Sequence, residues 1–140
     1  MTTHATRFAP TVPGTSATLG EIVERLTDAF HAEKRLIDEL IEIMRRQRGA
    51  LESDDLETVG NIAYAIQRVL LTLSEARRQR RAINRIIGGT ADLALPDLEH
   101  ALGSHMTAAM RAARDDLQGA AMLLSDEVRI NRSVLRDVLA

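Results

Sequence analysis

The sequence predicts an all-α fold, an antiparallel helical hairpin followed by a long third helix in a three-helix bundle or coiled coil. Three observations support this prediction. Apolar residues recur at spacings of three and four along three long stretches, which is the period of an amphipathic helix. Apolar residues make up 45% of the 140 residues but aromatic residues only 2%, so the core must be aliphatic, as suits close helix packing. The stretch between Pro13 and Pro96 contains no proline that would interrupt a helix.

The first helix is predicted to begin after Thr18, because Thr18 and Glu21 have the spacing of a capping box. Residues 1–17 contain two prolines and show no apolar period, so we expect a disordered N-terminal tail there. Residues 18–140 are expected to form a single helical-bundle domain. The apolar stripe of the first helix consists of Leu19, Ile22, Val23, Leu26, Phe30, Ile37, Leu40, Ile41, Met44 and Leu51.

The second helix is predicted to begin at Asp54, which has capping-box spacing to Glu57. Because the connection near Ser53 is so short, the first two helices must fold back as an antiparallel hairpin. Gly88 and Gly89 are expected to end the helix, since glycine readily takes the left-handed conformation found at helix C-termini. The second apolar stripe consists of Leu56, Val59, Ile62, Ala63, Ile66, Val69, Leu70, Leu73, Ala76, Ile83 and Ile87.

The third helix is predicted to begin at Pro96 and to reach residue 139, with Gly103 as the place where a break is easiest. At about 1.5 Å per residue it would extend roughly 60 Å, compared with about 50 Å for the other two helices. Its end would then project beyond the bundle, where an apolar stripe without a partner helix is a candidate binding surface. The third stripe consists of Leu98, Leu102, Met106, Met110, Ala113, Leu117, Ala121, Leu124, Val128, Val134, Leu135 and Val138.

Recognisable enzymatic motifs are missing from the sequence, and we expect neither catalysis nor a cofactor. There is no cysteine to act as a nucleophile, form a disulfide or bind a metal. Asp28 with His31, and Asp97 with His100, have the three-residue spacing found in helical di-iron sites. Aspartate is shorter than the glutamate of those sites, and no matching pair of further glutamates is evident. Solvated polar residues are therefore favoured over a metal site.

Eight arginines form two clusters, which we interpret chiefly as solvated surface. Both clusters lie in predicted last turns of helices, where cations offset the negative end of the helix dipole. An anionic protein partner is the main alternative. Specific nucleic-acid binding is not expected, because the net charge is −2 and no aromatic residues are interleaved to stack on bases. The clusters are Arg45, Arg46 and Arg48, and Arg77, Arg78, Arg80, Arg81 and Arg85.

The N-terminal sequence MTTHATRFAP has no apolar segment of the kind found in secretory signal peptides. No apolar run approaches the roughly 18 residues needed to span a membrane. The lack of cysteine fits a reducing compartment. We therefore predict a cytoplasmic protein that is a monomer or a small homo-oligomer.

Three features of the sequence resemble FlgN-type flagellar export chaperones. Residues 46–57 (RQRGALESDDLE) look like the end of the family's first helix, its short turn and its D-L-E restart. The order of a long hairpin, a looser loop and a longer third helix is similar to the family's overall plan. Residues 128–135 (VRINRSVL) resemble its asparagine-bearing segment near the C-terminus, with Asn131 matching and Val128 in the place of a second asparagine. The resemblance covers about residues 19–139.

This resemblance implies a cytosolic chaperone that binds the C-terminal helices of hook–filament junction proteins, keeps them unassembled and passes them to the flagellar type III export apparatus. An apolar helical stripe can bind the amphipathic helix of a client in this way. The main alternative is a structural or regulatory helical-bundle subunit of a larger assembly, and the third is an enzyme, a di-iron enzyme included. The residues expected to face the client, unless they only cap the core of the bundle, are Val128, Asn131, Val134, Leu135, Val138 and Leu139.

Overall fold

The computed structural model describes residues 18–89 and 95–140, and in them it confirms the predicted all-α class. The predicted disordered tail at residues 1–17 lies outside the described residues. The elements in chain order are α1 (Leu19–Glu52), α2 (Leu56–Gly88), α3 (Leu95–Leu102), a 3-10 turn (Gly103–His105) and α4 (Ala108–Leu139).

The caps of the first two helices follow the sequence prediction with one correction. The hydroxyl oxygen of Thr18 accepts the backbone N–H of Glu21 at 3.2 Å, which confirms the cap of α1. The N-cap of α2 is Asp55 and not Asp54, because Asp54 has φ +57° and the chain becomes helical only after the next residue. The Asp55 carboxylate accepts the backbone N–H of Thr58 at 3.2 Å. Gly89 ends α2 with φ +77°, as expected.

α1 is the central helix, and α2 and α4 pack against it from different sides. α2 runs antiparallel to α1: Ile41 lies against Leu73, and Glu33, which precedes Ile41 on α1, meets Arg80, which follows Leu73 on α2. α4 runs parallel to α1. In contrast to their long contacts with α1, α2 and α4 scarcely approach each other within the described residues. The bundle therefore has a groove between α2 and α4.

The predicted third helix is divided into α3, the 3-10 turn and α4. Gly103 has φ +55°, which confirms it as the break, and Thr107 caps α4 by accepting the backbone N–H of Met110 at 3.1 Å. α4 has 32 residues, α1 has 34 and α2 has 33, so the expectation of a longer third helix with a long overhang is wrong. Because Leu135 shares a cavity with Leu51 near the end of α1, only about the last turn of α4 extends further.

The core is thick at one end of the bundle and thin at the other. At the thick end, α1, α3 and α4 form a closely packed cluster around Phe30 and Met110, which are 1% and 0% exposed. Toward the α1–α2 turn, the buried apolar residues come mainly from α1. On α2 the predicted apolar stripe is mostly half-buried, since Val69 and Leu73 are its only buried members in the described structure and Leu56 and Leu70 are exposed. The physical reason is that α2 has one long neighbour, α1, and none on its groove side.

Candidate partner-binding site

An apolar cavity of about 350 Å³ lies where the groove approaches the α1–α2 turn. α1 forms its floor, and α2 and α4 form its two walls. Most of its lining is aliphatic, which favours an apolar side chain as occupant over a metal or a charged small molecule. The lining residues are Met44, Gln47 and Leu51 of α1, Val59 and Ile66 of α2, and Val128, Asn131, Arg132 and Leu135 of α4.

The structure brings three of the six sequence-predicted site residues into this cavity, namely Val128, Asn131 and Leu135. Val134 is half-buried and is not part of the cavity lining. Leu135 and Val138 are each 43% exposed, and Leu139 is 76% exposed. The aliphatic side chains of this set therefore form a partly open apolar surface that continues from the cavity to the end of α4.

Asn131 is buried and bonded within the bundle. Its amide nitrogen donates to the backbone carbonyl of Met44 at 2.8 Å, and its amide oxygen accepts from the Arg48 guanidinium at 3.1 Å. These bonds satisfy both ends of the amide and fix the C-terminal half of α4 against α1. A direct contact between Asn131 and a partner stays a prediction, while its positioning of the cavity wall follows from this geometry.

Sequence reasoning missed Glu127, a buried carboxylate one turn before Asn131. Its two oxygens accept hydrogen bonds from Arg48 Nη1 at 2.7 Å and Arg45 Nε at 3.0 Å. The bond from Arg48 is the largest influence on the pKa of Glu127, and with Arg45 it holds that pKa below the usual value although burial acts in the opposite direction. The available signal was its position: Glu127 falls within the apolar stripe of α4, between Leu124 and Asn131.

Glu33 forms a second buried ion pair, this one between α1 and α2. Its carboxylate accepts from Nε and Nη2 of Arg80, and Arg77 Nε lies 3.6 Å away. The Arg80 guanidinium also lies 5.8 Å from the centre of the Phe30 ring, within cation–π range. Four of the eight clustered arginines therefore pair with buried glutamates, a role that the interpretation as solvated surface did not include; the four are Arg45, Arg48, Arg77 and Arg80. Six of the eight are exposed, as that interpretation expects, but their predicted place in the last turns of α1 and α2 is wrong except for Arg85.

A family model for the FlgN protein matches residues 22–140, which include nearly all of α1 and the whole of the other helices. The chain belongs to the FlgN family. Membership implies a flagellar export chaperone in general, and FlgN is not known as a family of enzymes. No curated protein and no solved structure matches the chain.

Two further observations concern the surface of this FlgN-family protein. The side chains of Asp28, His31, Asp97 and His100 are exposed, and the described residues contain no group of three or more His, Asp or Glu placed to hold a metal ion. Across residues 18–89 and 95–140, every helix is either too short or too polar to cross a membrane.

Proposed function

We propose that this FlgN-family protein is a cytosolic export chaperone that binds the C-terminal helices of hook–filament junction proteins and delivers them to the flagellar type III export apparatus. The main support is the apolar cavity between α1, α2 and α4, together with the partly exposed aliphatic surface beside it. A chaperone that holds an amphipathic helix needs a groove of this kind, open along its length and apolar at its base.

In this proposal, the apolar face of the client helix covers Leu135 and Val138 and inserts a side chain into the cavity. Burial of apolar surface provides most of the binding free energy, because it removes aliphatic side chains from water on both partners. Glu127 and Asn131 do not need to touch the client. They hold α4 against α1, so that the cavity exists before the client arrives and little ordering is required on binding.

The test is the double variant Leu135→Asp, Val138→Asp. Its binding to the C-terminal peptide of a hook–filament junction protein from the same organism is measured by fluorescence anisotropy. A carboxylate buried in an apolar contact is strongly unfavourable, so we expect binding to be lost. Because both side chains are 43% exposed, each change should lower the free energy of unfolding by only about 1 kcal/mol, and the protein should stay helical.

The matched control is Leu71→Asp, Met122→Asp, which alters two exposed apolar residues outside the cavity lining and should leave peptide binding unchanged. Leu139→Asp is a second test that does not threaten the fold, since this side chain is 76% exposed; it should weaken binding. A folded Leu135→Asp, Val138→Asp variant that binds the peptide at full strength would refute the proposed surface. Unfolding of that variant, with full binding by Leu139→Asp, would assign these residues to the core.

A further inference from the structure

The groove between α2 and α4 has a cationic stretch beside the apolar cavity. This stretch has a volume of about 620 Å³ and shares Val128 and Arg132 with the cavity. Its base is formed by small or aliphatic side chains, and each of its ionisable side chains is an arginine. The lining residues are Arg77 of α2 and Ala121, Leu124, Ser125, Val128, Arg129, Arg132 and Arg136 of α4.

The arginines of this cationic stretch differ in how far the protein neutralises them. Arg77 lies 3.6 Å from Glu33, but that carboxylate is already bonded to Arg80, so one negative charge serves two guanidinium groups. Arg129 pairs with Asp126 at 2.6 Å on an exposed surface. Within residues 18–89 and 95–140, Arg132 and Arg136 form neither an ion pair nor a side-chain hydrogen bond. The stretch therefore keeps an excess of positive charge on a chain whose net charge is −2.

Arg132 and Arg136 are also separated by four residues on one helix, where two like charges destabilise the helix by a few tenths of a kcal/mol. An anionic group placed over them would remove that repulsion. The geometry thus combines an apolar base, which suits the apolar face of a helix, with a cationic wall that suits carboxylates on the edge of that face.

We propose that the groove between α2 and α4 selects an amphipathic helix whose apolar face is flanked by acidic residues about one turn apart, facing Arg132 and Arg136. The inference rests on the proposed chaperone function and specifies the chemistry of the client segment. A helix fits because α1 already contacts both α2 and α4, while these two scarcely approach each other. An added helix would lie between them and complete a four-helix arrangement.

Charge also decides between the possible occupants. Residues 1–17 of the same chain contain no aspartate or glutamate and carry Arg7, so they do not complement the cationic wall. Face-to-face pairing of two such grooves in a symmetric dimer would bring arginines against arginines. An acidic helix from another protein is the occupant that satisfies both the apolar base and the arginines.

The experiment uses two synthetic helical peptides of equal length with the same leucine face, one flanked by glutamates and one by lysines. We expect the full chain to bind the glutamate peptide at least tenfold more tightly than the lysine peptide, with the difference shrinking as salt is added. The variant Arg132→Glu, Arg136→Glu should lose about tenfold in affinity for the glutamate peptide. The control Arg25→Glu, Arg46→Glu reverses two exposed arginines outside the groove lining and should bind as the wild type does.

Equal binding of both peptides, binding of neither, or no effect of Arg132→Glu, Arg136→Glu would overturn the inference. So would a duplex DNA that binds as tightly as the glutamate peptide at physiological salt, or a change of the variant's oligomeric state in sedimentation. The junction-protein peptide separates this inference from the proposed function. If that peptide binds the wild type and the variant equally, the charge selection fails and the chaperone proposal stands. If it does not bind while the glutamate peptide does, the client assignment fails instead.

Discussion

Replacing Glu127 with glutamine tests whether the buried carboxylate holds α4 in place beside the proposed binding surface. Glu127 is 5% exposed and accepts hydrogen bonds from Arg48 at 2.7 Å and Arg45 at 3.0 Å. Arg48 in turn donates to Asn131, which bonds the backbone of Met44. Glutamine has nearly the same volume, so Glu127→Gln removes the negative charge without opening a cavity.

The magnitude follows from the exposure of the two arginines. A hydrogen bond to a charged group contributes about 1.5–3 kcal/mol when it is protected from water. The side chain of Arg45 is 47% exposed, so solvent screens its bond and its contribution is small. The side chain of Arg48 is 22% exposed, and its bond accounts for most of the effect. We expect Glu127→Gln to lower the free energy of unfolding by about 2 kcal/mol, which for a chain of this length lowers Tm by roughly 8 °C.

The dependence on pH supplies a second, independent prediction for the same variant. The pKa of Glu127 lies below its usual value of 4.5, so its ionised form stabilises the folded state. That stabilisation is complete above about pH 4.5 and is lost as the pH falls through the folded-state pKa. Wild type and Glu127→Gln should therefore differ in urea unfolding at pH 7 and converge in acid.

The neighbouring variant Asp126→Asn is the control, because Asp126 and its partner Arg129 are 55% and 74% exposed. A surface pair of this kind contributes at most about 1 kcal/mol. Equal stability of Glu127→Gln and wild type at pH 7 would refute the reasoning, as would a difference that persists unchanged well below pH 4.

Two further predictions concern the break before α4 and the arginines of α2. Gly103→Ala should lower the free energy of unfolding by about 1–2 kcal/mol, because φ is +55° there. Gly119→Ala inside α4 should raise it by up to about 1 kcal/mol, because alanine favours the helix more than glycine does. Neither added methyl group meets a neighbour, so changes of the same sign in the free energy of urea unfolding would contradict the backbone explanation. Duplex DNA should bind only weakly and dissociate as salt approaches physiological strength, since two of the α2 arginines are engaged by Glu33; tight binding in a filter assay at that salt would contradict this.

The number of long helices and the place of the first two could be predicted from the sequence because the signals are local. Thr18 caps the start of α1 and Gly89 caps the end of α2. Each does so through a hydrogen bond to a residue three or four positions away, so both partners lie close together in the sequence. The N-cap of α2 lies one residue later than predicted, because the local sequence does not distinguish two neighbouring aspartates. Asp54 and Asp55 are chemically alike, and only the left-handed φ of Asp54 distinguishes them.

The candidate site could be predicted only in part, because an apolar period shows which face of a helix is apolar but not whether another helix covers it. The stripe of α2 illustrates this: Leu73 is buried and Leu70, on the same face, is 46% exposed. The stripe of α4 has a related ambiguity, since Met110 lies in the core while Leu135 lies at the groove. Both outcomes depend on which helices pack together, and that is a property of the whole fold.

The two buried glutamates explain why arginine has different roles along the chain. Glu127 pairs with the arginines of α1 that approach α4, and Glu33 pairs with the α2 arginines that approach α1. A carboxylate placed in each helix contact thus locks α1 to a neighbour, and no third carboxylate of the described residues pairs with Arg132 or Arg136. The positive charge that remains lies along the groove where α2 and α4 stay apart. If the groove binds a client helix, the carboxylate missing from this third contact is supplied by the client.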